Sequence, residues 1–182
     1  EEVDTSRSIR RRVLRGYIAD PNDYPIIDVP VSWIMIDIDK LPLPSTINLL
    51  ADPQQAVEYS ITQLPPEFHN VSYHWQLSAS ACVFGTETLS AHIYFWLDRP
   101  LLNEELRRWA RWLNKKKLVD PAVFNAAQLH YTAAPIFTDN AEDPFPHNRS
   151  GLLQKALSEV SLKLPAADAV TTRQVNAVAP DA

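Results

Sequence analysis

The chain is short of the residues that staple or loosen small folds. It has one cysteine, Cys82, three glycines and one methionine in 182 residues. A single thiol excludes an internal disulfide framework and any zinc cage built on cysteines. It fits a reducing compartment, and the expected location is the cytoplasm. With so few glycines and 15 prolines, the turns must lean on Pro, Asn and Asp. No apolar run approaches the roughly 20 residues that span a bilayer, so no membrane partner is expected. No signal-peptide pattern opens the chain, because "EEVDTSRSIRRRVLRGY" is charged throughout. An initiator methionine is also missing, as in a processed chain or a fragment of something longer.

What is present suits one domain with tails. Hydrophobic residues make up 46% and charged residues 21%, ordinary for a domain with a real core. The net charge of −5 excludes a bulk coat for phosphate backbones, which would be basic. Positive charge is nonetheless clustered locally, at Arg7, Arg10, Arg11, Arg12 and Arg15, and again at Arg107, Arg108, Arg111 and Lys115 to Lys117. We divide the chain into a basic segment (1–24), a domain (25–164) and an Ala/Val/Pro-rich tail or linker to a following domain (165–182).

Within the domain, "VSWIMIDI", residues 31–38, reads as a buried strand. "DPQQAVEYSITQLP" predicts a short helix capped by Asp52, with Pro53 at its first position and "LPP" as its stop. Strands are expected over 70–80 and 91–97. Residues 103–117 predict the clearest helix, with Asn103 as cap, Glu104 and Glu105 in the first turn, and lysines in the last. Its apolar stripe is Leu106, Trp109, Ala110 and Leu113. "DPAVFNAAQ" suggests a helical turn and "LHYTAAPIF" a further strand; 151–164 fits helix or strand. Trp33, Trp75 and Trp96 are expected in the core. This alternation of strands and helices gives an α+β or α/β domain.

The chemistry lies in the spacing. Residues two apart on a strand share a face, so Asp37 and Asp39 project side by side, and their repulsion is relieved by a cation. Oxygen donors of this kind suit hard ions such as Mg²⁺ or Mn²⁺. By the same rule Ser90 and His92 share a face, a hydroxyl and an imidazole able to hold a phosphate. Asp120 is a third acid, and before Pro121 it also reads as an ordinary turn cap. Three acids and a strand-borne Ser-x-His suit phosphoryl or nucleotidyl transfer, which uses two metal ions about 3.5–4 Å apart.

"WIMIDID", "LSAHIYFWLDRPL" and "LVDPAVFNAAQLHYTAAPIF" together resemble the three motifs of the archaeo-eukaryotic primase superfamily. Those motifs are hydrophobic-D-x-D, S-x-H and hydrophobic-D. The likeness, strongest to primases of plasmids, phages and integrative elements, spans roughly residues 31 to 137. It implies an RRM-like palm with an added N-terminal α/β unit. It also implies a two-metal site on Asp37, Asp39 and Asp120, with Ser90 and His92 at the triphosphate of the incoming nucleotide. Where many relatives use an arginine toward the nucleotide this chain has His130; Arg149 or Arg99 are the candidate substitutes. Gln128, Tyr131 and Thr132 flank that position, and Lys40, beside the acids, reads as solvated. The implied partners are nucleoside triphosphates, a single-stranded DNA template, and a helicase or primase-accessory region in a longer protein. Many relatives carry a zinc module, but no structural zinc is expected here.

Two other readings use the same residues. A strand-nicking initiator or relaxase on a related palm needs a His-hydrophobic-His pair and a tyrosine nucleophile; "AHIYFW" supplies one histidine and Tyr94. A non-catalytic RRM-like module would bind nucleic acid or a protein partner through exposed aromatics in a basic setting.

Overall fold

A computed structural model describes residues 28–83, 85–113, 118–125, 128, 130–138 and 142–166. The basic segment 1–24, Lys115 to Lys117, Leu129 and all of the tail beyond residue 166 lie outside the described residues. So does any element preceding residue 28 in which the N-terminal α/β unit was expected.

The described chain is α+β, and its elements run β1 (Val31–Pro42), α1 (Pro53–Thr62), β2 (Tyr73–Leu77), β3 (Thr88–Leu101), α2 (Asn103–Leu113), β4 (Ser150–Leu153) and β5 (Glu159–Val160). Two 3₁₀ turns, Pro66–Phe68 and Pro121–Phe124, complete the set. The sheet order is β1-β3-β2-β4, and β5 lies parallel beside the far end of β3. Every other pairing is antiparallel. β1 and β2 therefore run parallel with β3 between them, joined through α1, in a split βαβ arrangement.

Alternation divides the sheet into two faces. On one, Ile34, Ile36 and Ile38 of β1 lie beside Ile93, Phe95 and Leu97 of β3 and Trp75 and Leu77 of β2, all buried. Phe68 and Trp109 close over this face, Phe68 meeting Phe95 edge-on at 5.0 Å and Trp109 at 5.8 Å. Gly151 faces Trp75 across the ladder, and a Cβ there would stand only 2.8 Å from the indole Nε1. The missing side chain is what lets Trp75 lie flat against β4.

The helix ends follow from local chemistry. Asp52 accepts the Gln55 amide at 2.9 Å, as expected of the cap of α1. At α2 the cap falls one residue earlier than expected. Glu105 reaches back to the Leu102 amide at 2.9 Å, the side-chain half of a capping box, while Asn103 donates to Asp28 at 2.8 Å. Leu106, Trp109 and Ala110 are buried, with Leu113 packed at their edge.

Three expectations need correction. β1 extends to Pro42, so Asp37 and Asp39 lie inside a strand and not at its end. The segment 130–137 forms no ladder; two of its carbonyls, those of Thr132 and Ala133, are instead met by the Gln76 side chain at 3.1 and 3.5 Å. Fourth-strand pairing goes to Ser150–Leu153, inside the ambiguous stretch. Of the tryptophans expected in the core, Trp75 is 3% exposed, but Trp33 and Trp96 are 38% and 62% exposed. Their strand parity puts them opposite each other on the second face.

Candidate active site

The second face carries the chemistry. Asp37 pairs in register with His92, and His92 in turn with Gln76, so one row across three strands reads Asp37, His92, Gln76. Asp37 Oδ1 lies 3.5 Å from His92 Nε2, with both side chains partly open to solvent. The other ring nitrogen, Nδ1, is buried without a hydrogen-bond partner.

Asp39, two residues beyond Asp37, lies in a β-bulge. Ile38 pairs with Ala91 and Leu41 with Leu89, so two residues, Asp39 and Lys40, oppose Ser90 alone. Lys40 takes a φ of 50°, unusual for a side-chain-bearing residue, and its amide donates to Ser90 Oγ at 3.2 Å. Ser90 is thus a buried prop under the bulge that aims Asp39, a role its i, i+2 relation to His92 did not reveal. Its carbonyl also accepts the Ser78 amide at 3.0 Å. Lys40 itself is exposed, as expected.

Asp120 and His130 come from the chain that follows α2. Asp120 caps the second 3₁₀ turn, accepting the Ala122 amide at 2.9 Å. That turn is pinned by Arg107, whose Nη2 donates to the Phe124 carbonyl at 3.1 Å. Arg107 therefore belongs to the structure that positions Asp120. The Gln76 bonds to residues 132 and 133 hold the next segment over the sheet, and His130 stands edge-on to Trp33 at 6.4 Å.

The electrostatics tie these groups together. Burial raises the Asp37 carboxyl above its ordinary pKa; His92 opposes this, Asp39 and Asp120 add to it, and His130 opposes it weakly. His130 is pushed below the usual imidazole value, first by burial and then by His92, against Asp37 and a hydrogen bond with the Val123 backbone. Asp39, Asp120, His92 and His130 thus all act on Asp37, although they come from three separate stretches of sequence.

The arginines stand elsewhere. Arg149 is buried, paired with both carboxylate oxygens of Asp143, bonded to the Ser78 carbonyl at 2.9 Å, and flanked by the rings of Phe137 and Phe145. All these contacts make it a strut of the loop before β4. Arg99 is exposed at the distal end of β3, and Tyr131 is largely exposed. Gln76 and Arg107, the two anchors, were missed as such; a polar residue between buried Trp75 and Leu77 was the one available signal for Gln76.

Among the described residues, no group of three or more His, Cys, Asp or Glu is already gathered as a metal-ligand set. The donor chemistry nonetheless fits a hard divalent ion: a carboxylate whose ionised form is disfavoured by burial and by two further acids is stabilised by bound positive charge. Among the described residues no helix is long and apolar enough to cross a membrane. Compared with known proteins, the chain matches no family model, no curated protein and no solved structure.

Proposed function

We propose that this domain is a metal-dependent nucleotidyltransferase of the archaeo-eukaryotic primase type, making primers on single-stranded DNA from nucleoside triphosphates. The observation that carries the reading is the row in which Asp37 faces His92 on adjacent strands, with Asp39, Asp120 and His130 acting on the same carboxyl. The split βαβ core suits an RRM-like palm, and the resemblance of three motifs in order suits the superfamily. Replication of a mobile element, with a helicase or accessory region in a longer protein, extends the same reading.

In this reading Asp37, Asp39 and Asp120 would hold two Mg²⁺ or Mn²⁺ ions. Such ions neutralise charge on a triphosphate and on the attacking and leaving oxygens of an in-line displacement. His92, open at Nε2 beside Asp37, donates to a phosphate oxygen when protonated there. His130, kept neutral by burial, adds a polar contact without adding charge. Ser90 acts through the bulge, keeping Asp39 on the side of Asp37. Asp39 and Asp120 are exposed, so their carboxylates would be accessible to such ions.

Calorimetric titration with Mn²⁺ and a nucleoside triphosphate tests the assignment. Tight nucleotide binding is expected only with the metal present, and Asp37→Ala is expected to abolish it. Metal-independent binding of equal strength in both proteins would contradict it.

One observation favours a second reading, the strand-nicking initiator. His130 feels the charges of His92 and Asp37, and so offers from a distant stretch of sequence the second imidazole that the local sequence lacks. A covalent tyrosine adduct with a nicked single strand would select that chemistry over nucleotidyl transfer.

A further inference from the structure

The same face of the sheet continues past the acidic row into a groove of ≈ 450 Å³. Its floor is aromatic. Beyond the row of Asp37 and His92 comes the row of Met35, Tyr94, His74 and Leu152, and then the pair Trp33 and Trp96. Tyr94 lies 6.5 Å from Trp33 and 5.9 Å from His74, with the planes tilted by 45° and 47°. Trp96 is 62% exposed in the middle of a paired strand, and Leu152, in the row of Tyr94 and His74, is 65% exposed. An indole so placed buries little and stabilises little, while its neighbours on the opposite face are all in the core.

We propose that Trp33, Tyr94 and Trp96 form a platform on which the unpaired bases of a single nucleic-acid strand stack. Three features favour this occupant over an apolar peptide or a second copy of the chain. Tyr94 and Trp96 succeed one another along β3 in rows roughly 7 Å apart, with Trp33 across from Trp96 on β1, so that one strand can lay consecutive bases along them. None of the lining residues is a carboxylate, the polar ones including Ser72, His74, Gln154 and Ser158; acids stand only at the outer edge, where Glu159 pairs with Trp96 and Asp98 follows it along β3, so the phosphates would run on the Tyr94 and His74 side of the indole. The Tyr94 hydroxyl is buried without a hydrogen-bond partner, within electrostatic reach of Asp37, so the platform leads directly into the acidic row. Aromatic faces stack on every base, so the platform tolerates any sequence. The choice of nucleic acid rests on the nucleotidyl-transfer reading; the geometry of the platform does not.

The test is fluorescence anisotropy of a labelled homopyrimidine single strand with the full chain, in chelator and without nucleotide, so that catalysis plays no part. Wild type is expected to bind the single strand in preference to the matching duplex. Trp96→Ala is expected to weaken binding about five- to 150-fold, the range for loss of one stacked base. Trp96→Phe, which keeps a ring, is expected to restore most of it. Because Trp96 is exposed, circular dichroism of Trp96→Ala should match wild type. Failure of wild type to bind, equal binding by Trp96→Ala, or a wild-type dimer that Trp96→Ala converts to monomer would overturn the proposal. Strand binding without nucleotide incorporation would sink the enzymatic reading and leave the platform standing; incorporation with an unaffected Trp96→Ala would do the reverse.

Discussion

The two faces of the one sheet are built from alternate residues of the same strands, yet they obey opposite rules. On the core face, Ile34, Ile36, Ile93, Phe95 and Trp75 are all but sealed from solvent. On the other, Trp33, Asp37, His92, Tyr94 and Trp96 are left partly or largely open. Stability is concentrated in one face and solvent-accessible chemistry in the other. A side chain moved one position along β1 or β3 would exchange these roles, so the register of β1 against β3 is the feature on which everything else depends.

The largest expected effect breaks the first face. Phe95→Ala removes a ring that touches both Phe68 and Tyr73. It should cost about 3–5 kcal/mol in chemical denaturation. A loss below 1 kcal/mol would mean that this face is not the core.

The next breaks the second face while sparing the first. Asp37→Asn is expected to lower nucleotide incorporation by about 10²–10³-fold, the scale for losing a charge-stabilising group. Its stability should move the other way. The folded state raises the Asp37 pKa, so it holds that proton more tightly than the unfolded chain, and the ionised carboxyl subtracts stability as pH rises. The asparagine variant should therefore be at least as stable as wild type at neutral pH. That advantage should vanish below about pH 4, where the carboxyl is protonated in both states.

Asp143→Asn tests whether Arg149 is a strut. Its hydrogen bond to Arg149 holds the Asp143 carboxyl below the ordinary carboxylate value, so its contribution is full above that value and is lost as pH falls through the depressed one. At neutral pH the variant should lose about 1.5–3 kcal/mol, the range for hydrogen bonds to a charged group. An unchanged melting curve would free Arg149 for a ligand. Ser90→Ala should be milder, about 1 kcal/mol for the lost bond to the Lys40 amide. Its diagnostic readout is metal affinity: re-aiming Asp39 should weaken Mn²⁺ binding, and Ser90→Thr, which keeps the hydroxyl, should recover part of it.

Much of this was legible in the sequence because it is local. The apolar run before Asp37, the Asp52 cap and the stripe on α2 each depend on residues within a turn or two of one another. Asp120 as a turn cap was legible for the same reason. What escaped was set by pairing at long range. The bulge at Asp39 and Lys40 exists because β3 offers a single residue, Ser90, opposite two. The segment after Asp120 carries strand-like residues, but Gln76 satisfies two of its carbonyls, and β2 pairs with Ser150–Leu153 instead. Trp33 and Trp96 were assigned to the core by hydrophobicity alone, whereas their parity with Asp37 and His92 already placed them on the opposite face from Ile34 and Phe95. Arg149 showed a free charge in the sequence and a fully engaged one in the fold.

The most direct test of the central claim is incorporation of labelled nucleotides on mixed single-stranded templates, with ribo- and deoxynucleoside triphosphates supplied separately in Mn²⁺ or Mg²⁺. The account predicts primers from the wild-type chain with at least one nucleotide type, none in chelator, and about 10²–10³-fold less from Asp37→Asn despite its intact fold. Undiminished primer synthesis by Asp37→Asn, or product formed equally well in chelator, would contradict it.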